Sequence, residues 1–416
     1  MQYLNYFLDL GSSVVMPVII TILGLVLGQK LSKAFRAGMT IGIGFIGISL
    51  VTGLMGDQIS PAAQAMVERF ELNLKVIDVG WPVSSSIAFS TNIVPFVFVV
   101  CFVLNIVMLA ANITKTLNID FWNYWHFVLT GSLIQFATGS LVAGIVGSAV
   151  TFIVIMKFAD MTAPMVQDYF GLPGVSLPHT ETVSWAPLII GLDKIYDRIP
   201  GVKNIKMDGE TIQQKLGIFG EPIVLGLILG AGIGALAGYD FSGIVTLAVN
   251  MAAVMFLLPR MVKILMEGLL PLSNDAKQFI AKRFPGRELN IGLDAAVGTG
   301  SPMVVAAALI MIPITLFLAF VLPGNQLLPL VDLSTLPFFM IWPVVAHKGN
   351  LFRALVSGSL MMIAILYIGT ALAPVATTIA QSTQFAFPEG ASQISSLDIG
   401  AHLVPFLIYR IFGMFF

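Results

Sequence analysis

The feature that most constrains this chain is a series of apolar runs, each close to the ~20 residues a helix needs to cross a bilayer. They fall at 11–29, 37–56, 91–113, 123–139 and 140–158, then at 220–238, 241–258, 302–323, 335–347 and 352–374, with a last one at 400–416. Of 416 residues, 57% are hydrophobic and only 10% charged, against about 25% charged in an ordinary soluble domain. In hydrocarbon every backbone group must be satisfied internally, and runs of this length do that as helices. The expected fold is therefore an all-α polytopic membrane protein surrounded by lipid. A formal net charge of −1 predicts no nucleic-acid partner. No removable signal peptide is expected, because Met1 to Leu10 has no Lys or Arg and the first run is already long enough to span. The single cysteine, Cys101, lies inside an apolar run, which excludes an internal disulfide and a multi-cysteine metal site.

The two sets of runs resemble each other. GSSVVMPVIITILGLVLG at 11–28 matches GEPIVLGLILGAGIGALAG at 220–238 in character, and ISPAAQAMVERF at 59–70 matches LSNDAKQFIAKRF at 272–284. Ser60 pairs with Ser273 (273 − 60 = 213), Gly80 with Gly292 (offset 212), and Ala163-Pro164 with Ala373-Pro374 (offset 210). Five spans per repeat is an odd number, so the second copy enters the membrane inverted, the plan of many transporters with a midplane site. The expected division is a first repeat with a cytoplasmic connector at 1–219, a second at 220–398, and a final transmembrane helix at 399–416.

Charge gives the orientation. With the N-terminus outside, the inner loops hold the clusters Lys30–Lys33–Arg36, Lys194–Arg198–Lys203–Lys206–Lys215 and Arg260–Lys263–Lys277–Lys282–Arg283–Arg287, as the positive-inside bias requires. Arg69 and Lys75 are the exceptions, and inversion of the repeat accounts for them. Gly226, Gly230, Gly234 and Gly238 recur at every fourth residue, a ridge for close helix packing or for a subunit interface.

Three stretches are too broken to span. VGWPVSSSIAFST at 79–91 and IGLDAAVGTGSP at 291–302 occupy matching places in the two halves, the best pointer to a transporter's site. GLPGVSLPHTETVSW at 171–185 reads either as a surface connector or as the wall of a wet cavity centred on His179. Asp294 either accepts hydrogen bonds from a sugar or polyol hydroxyl, with a possible role as base, or caps the following half-helix. Ser84, Ser85 and Ser86, and in the second half Thr299 and Ser301, suit a polyhydroxy ligand or helix capping. Ser132 and Gln135 share a helical face and serve a ligand or a neighbouring helix. The histidines at 126, 179, 347 and 402 show no metal-ligand spacing, so no metal is expected. His126, between Trp122 and Trp125, fits the interfacial belt, and His347 fits dipole compensation at a helix end. Nucleotide-binding motifs are absent from the sequence and no cofactor is expected, so any energy comes from an ion gradient or a partner.

The runs FRAGMTIGIGFIGISLVTGLMGDQISPAAQAM, DVGWPVSS, IPGVKNIKM, FGEPIVLG, LAGYD, IGLDAA, PGNQLLP and HKGNLFRAL resemble the galactitol-type IIC component of the bacterial phosphoenolpyruvate-dependent sugar phosphotransferase system, over residues 5 to 375. The resemblance implies a superfamily shared with ascorbate IIC proteins, which are homodimers with a scaffold and a mobile core moving as an elevator. Here the scaffold would be 11–56 and 220–266, and the core 57–190 and 267–398. It points to Ser132, where the ascorbate-type relative has histidine, to His179 and Thr180, and to Asp294 as polar site residues. It implies galactitol or a similar hexitol or pentitol as substrate. Cytoplasmic IIB and IIA subunits would supply phosphate through a phosphocysteine on IIB, in the inner membrane of a bacterium. The loop with Lys194, Arg198, Lys203 and Lys206 either docks IIB or only reflects orientation bias. An ion-coupled polyol symporter using His179 and Asp294, and a passive facilitator, are the alternatives.

Overall fold

The computed structural model describes residues 12–69, 74–120, 122–205, 207, 222–283, 288–383, 385 and 392–414. Lys206, Lys215 and Arg287 of the expected inner loops lie outside them. Helix α1 (Ser12–Val26) turns into α2 (Leu31–Arg69), and α9 (Pro222–Ala237) turns into α10 (Phe241–Arg283). The sequence reading divides each long helix into a span and a separate amphipathic segment, 59–70 and 272–284. The chain instead continues as helix to Arg69, through Pro61, and to Arg283, since the amphipathic segments keep the helical period. At 1.5 Å per residue α2 is about 58 Å long, nearly twice the ~30 Å hydrocarbon core. The two long helices pack against each other. Contact is close at Gly268 against Ile41 and Gly47 against Met261. Asn250 Nδ2 donates to Gln58 Oε1 at 2.9 Å.

The glycine ridge resolves as packing within the chain. Cβ atoms at Gly226 and Gly230 would lie 2.6 Å and 2.7 Å from the Cα atoms of Ala252 and Ala248 on α10. Arg69, the exception to the charge bias, closes the same hairpin: its guanidinium donates to the carbonyls of Ala235 (2.9 Å) and Leu236 (3.0 Å) at the C-terminus of α9.

Between these hairpins the chain is repeatedly interrupted. After α2 come β1 (Val76–Asp78), α3 (Gly80–Phe89), α4 (Val94–Ala110), β2 (Thr116–Asn118), α5 (Trp125–Thr138), α6 (Leu141–Phe170), β3 (Val175–Ser176), α7 (Thr180–Val183) and α8 (Ala186–Tyr196). After α10 come β4 (Asn290–Gly292), a 3₁₀ turn (Ala295–Gly298), α11 (Pro302–Val321), β5 (Leu327–Leu328), a 3₁₀ turn (Val331–Thr335), α12 (Leu336–Phe339), α13 (Ile341–Ala346), α14 (Leu351–Ser382), β6 (Gln393–Ser395), α15 (Leu397–Ala401) and α16 (Leu403–Phe412). By length and composition, five of the described helices can cross a membrane, and α3 with α4, bent by 95°, makes a sixth. The sequence reading expects eleven spans. The runs at 11–29 and 220–238 extend beyond the described residues, and the other three fall where prolines and polar residues shorten the helices. The run at 335–347 divides at Met340, and the expected final span is a ten-residue helix that begins only after the buried His402.

The strands are the main departure from an all-α fold. They form two three-stranded parallel sheets of order β5-β1-β6 and β2-β4-β3. Each has a centre from one part of the chain and flanks from the other. In register, Asp78 pairs with Ser395, and Gly292 with Asn118 and Ser176. Asp78 and Gly292 thus end the two central strands, an offset of 292 − 78 = 214, two residues from the pairing of Gly80 with Gly292. Buried Asn105 clamps β2, donating to the Thr116 carbonyl (3.0 Å) and accepting from the Asn118 N–H (2.9 Å).

A side chain larger than hydrogen at position 230 must displace the α10 backbone. Gly230→Leu is expected to cost about 1–3 kcal/mol, read as a lower unfolding temperature in detergent. Gly232→Leu, where a Cβ meets nothing within 4 Å, is expected to leave that temperature unchanged.

Candidate functional site

Parallel strands send their carboxyl ends, and the helix N-termini that follow, in one direction. Here both sheets do so toward one cavity of about 640 Å³. All six segments that follow the strands line it: Trp81 and Pro82 after β1; Trp122, Asn123, Trp125 and His126 after β2; His179 and Glu181 after β3; Asp294 and Ala296 after β4; Val331, Ser334, Thr335 and Phe338 after β5; Asp398 after β6. The remaining wall is α2, through Phe45, Ile48, Ser49, Gly53, Gly56, Asp57, Ser60 and Pro61. Ligands of open parallel sheets bind at this same edge.

Buried carboxylates hold the helix N-termini in place. Asp78 accepts from Gly80 N–H (3.0 Å) through one oxygen and from Leu330 (3.1 Å) and Asp332 (3.0 Å) N–H through the other. Asp332 in turn accepts from Trp81 N–H (2.8 Å) and Asp398 N–H (3.0 Å). Gly80 has φ +78°, and a Cβ there would meet Val331, so the turn that aims Trp81 at Asp332 requires glycine. In the other sheet Asp294 accepts from Ala296 N–H at 2.8 Å, and Asp120 accepts from Asn123 Nδ2 at 2.6 Å. Asp294 thus caps a 3₁₀ turn and also lines the cavity.

The stretch around His179 is no surface connector, because residues 174–186 are buried throughout. His179 is 4% exposed. Its Nδ1 lies 3.7 Å from Glu181 Oε1 and its Nε2 lies 3.8 Å from Asp294 Oδ1. His126 is not interfacial; it is buried, with Nδ1 2.7 Å from His402 Nε2 and Nε2 3.4 Å from His179 Nε2. Three of the four scattered histidines thus converge, a grouping that linear spacing cannot show. His347 lies apart, its ring held between Asp193 (2.7 Å) and Ser357 (2.7 Å).

Two groups hold ligand atoms close enough together for a metal ion, His126–Asp398–His402 and His126–His179–Glu181. In the first, the histidine nitrogens are 2.7 Å apart. Two nitrogen ligands of a tetrahedral ion stand about 3.3 Å apart, so this pair is spaced as a hydrogen bond and must open to admit one.

Of the residues singled out in the sequence, His179 and Asp294 line the cavity, whereas Thr180, Ser132, Gln135, Ser84, Ser85, Ser86 and Thr299 do not. Thr180 is buried beside His179, with its Oγ1 unpaired and its carbonyl accepting from Ser184. Ser132 pairs with Thr91 at 3.0 Å, and Gln135 donates to Asn92 at 3.0 Å, both at the break between α3 and α4. Ser84 donates to Gly80 O and meets Ser396 Oγ at 3.2 Å; Ser85 donates to Pro82 O; Ser86 is exposed; Thr299 donates to Ala296 O.

The chain matches the family of PTS system sugar-specific permease components, EIIC-GAT, over residues 6–390. It belongs to that family. It is 42% identical over 416 residues to the galactitol-specific EIIC component of Escherichia coli strain K12, covering 99% of this chain and 91% of that one. It is 43% identical over 396 residues to a putative permease IIC component of the same strain, covering 95% of this chain and 91% of that one. The permease is a multi-pass protein of the inner membrane. Glu181, Asp398 and His126 are cavity residues that sequence reasoning passed over, and His402 lies buried behind His126. One signal was available for Asp398. Ser176 and Ser395 end equivalent strands, and His179 and Asp398 each follow three residues later. The offset of 398 − 179 = 219 is larger than at the other landmarks, which hides the match.

Asp78→Ala removes the acceptor of three buried amides. It is expected to destabilise this permease by about 1–3 kcal/mol or more, with Asp78→Asn, which keeps one acceptor oxygen, milder. Thermal unfolding of the two variants side by side checks this.

Proposed function

We propose that this permease binds galactitol or a similar polyol in the cavity between the two sheets and carries it across the inner membrane for phosphorylation by a cytoplasmic IIB subunit, recharged by IIA. The observation that carries this reading is the hydrogen-bonding character left over in the cavity. His179 Nδ1 accepts no hydrogen bond within the chain, and the carboxyl groups of Asp398 and Glu181 meet each other at the same cavity. Buried acceptors without donors are costly, and a polyol offers a donor on every carbon. Trp81, Trp122, Trp125 and Phe338 present apolar faces to its C–H groups. The volume suits a small ligand.

In this reading the substrate-holding residues are His179, Glu181, Asp294 and Asp398, with Thr180, Thr299, Ser132, Gln135 and Ser84–Ser86 supporting the broken helices that present them. Transport is an elevator motion. Helices α1, α2, α9 and α10 form the scaffold of a homodimer, and the strand-bearing remainder is the mobile core. The position of the cavity supports this, since one wall is a long helix and every other wall belongs to the six strand ends. The exchange of strands between the sheets supports an inverted repeat. Cys101, fully buried in α4, cannot serve as a phosphoryl carrier, so that carrier belongs to a partner. Exposed Lys194, Arg198 and Lys203, following α7, offer IIB a basic surface next to the site. The closeness of His179 to Asp294 and Glu181 favours one second reading, an ion-coupled symporter with these groups as proton carriers.

His179→Ala and Asp294→Asn are each expected to weaken galactitol binding at least tenfold, about 1.4 kcal/mol, in titration calorimetry of folded protein. Unchanged isotherms remove the residue concerned from the site. In proteoliposomes, accumulation is expected only with IIB, IIA and a phosphoryl source present; concentrative uptake driven by a pH gradient alone would establish the symporter instead.

A further inference from the structure

The three converging histidines form a chain whose proton positions follow from its far end. His402 Nδ1 lies 2.6 Å from the backbone carbonyl of Asp398. A carbonyl only accepts, so Nδ1 carries the proton and Nε2 of the neutral ring is left as an acceptor. His126 Nδ1, 2.7 Å from that Nε2, must then be the donor. This leaves His126 Nε2 as an acceptor, 3.4 Å from His179 Nε2. The proton of His179 therefore belongs on Nε2. The competing acceptor there, Asp294 Oδ1, is farther away at 3.8 Å and already accepts from the Ala296 amide. What remains is His179 Nδ1, buried, without a donor and at the cavity.

We propose that His126 and His402 are positioning residues: starting from the Asp398 carbonyl, they fix the tautomer of His179 so that Nδ1 stands open as the acceptor for a substrate hydroxyl. The opposite tautomer would place an N–H toward Glu181 and convert the acceptor into a donor. Each ring has an aromatic neighbour. Trp125 lies against His126 with centroids 4.1 Å apart and also faces His402 at 5.9 Å, and Phe338 lies 6.0 Å from His179. The inference rests on the polyol reading for its ligand, but the tautomer chain itself does not.

The test uses the full-length permease with ¹⁵N-labelled histidine in nanodiscs. Four histidines give a spectrum assignable by single His→Gln variants. The expected result is protonation on Nδ1 at His402 and His126 and on Nε2 at His179, with galactitol shifting the His179 Nδ1 resonance. A wild-type His179 protonated on Nδ1, or an Nδ1 resonance unmoved at saturating galactitol, overturns the proposal. If no hexitol or pentitol binds while the tautomers are as expected, the polyol reading fails and the tautomer chain stands. His402→Phe, which removes the first acceptor, is expected to shift His179 toward the Nδ1–H form and weaken galactitol binding at least tenfold. His402→Gln, whose amide can donate to the Asp398 carbonyl and accept from His126, is expected to restore both. A His402→Phe protein that binds weakly with His179 unchanged assigns His402 a purely structural role and overturns the proposal. If that variant does not fold, the wild-type and His402→Gln spectra decide.

Discussion

A peptide group without a partner in hydrocarbon costs several kcal/mol, and this chain interrupts its helices at many places within the bundle. Everything else in the molecule depends on how those interruptions are satisfied. Six of them begin with two or three residues of strand, and the strands pair into two small parallel sheets. The pairing satisfies the backbone where helix is lost. It also fixes direction, because parallel strands must release their chains on one side. The helix N-termini that follow carry unpaired amides, and Asp78, Asp332, Asp294 and Asp120 are buried where they cap those amides or their neighbours.

The site is a by-product of that solution. Two sheets with their carboxyl ends turned toward one space leave a cavity whose polar lining is acceptor-rich. Most of the carboxylate capacity is taken up by the caps. His179, which keeps an unfilled acceptor, and Asp398 lie at equivalent distances beyond equivalent strands. In the proposed reading, structure and recognition thus draw on one set of residues.

The membrane class and the broken segments at 79–91 and 291–302 were legible in the sequence, because each rests on local composition, and the same signals singled out His179 and Asp294, which line the cavity. The strands were not. Val76-Ile77-Asp78 has no strand-length pattern, and its partners lie at 327–328 and 393–395. Nor was the place of His126, whose neighbours Trp122 and Trp125 mimic an interfacial belt although the ring is buried against residues 53 and 276 positions away. Counting spans failed for a related reason. An apolar run of 13 to 17 residues reads as a short span when it is a half-helix entering the bundle from a strand. Local pattern reports how apolar a segment is and cannot report where its ends find partners.

The exchange of strands between the sheets bears on how the molecule is made. When residues 1–205 have left the ribosome, β1 has neither of its neighbours, and β2 and β3 have no strand between them. The second sheet can close once β4 arrives, but the first waits for β5 and β6, the last of them beyond residue 392. Contacts of such sequence separation are slow to form. The long hairpins can settle in the lipid early, while the polar breaks await their partners. The cavity is therefore completed from the C-terminal part of the chain, and a nascent chain held short of β6 leaves unpaired the edge of β1 that the finished sheet covers.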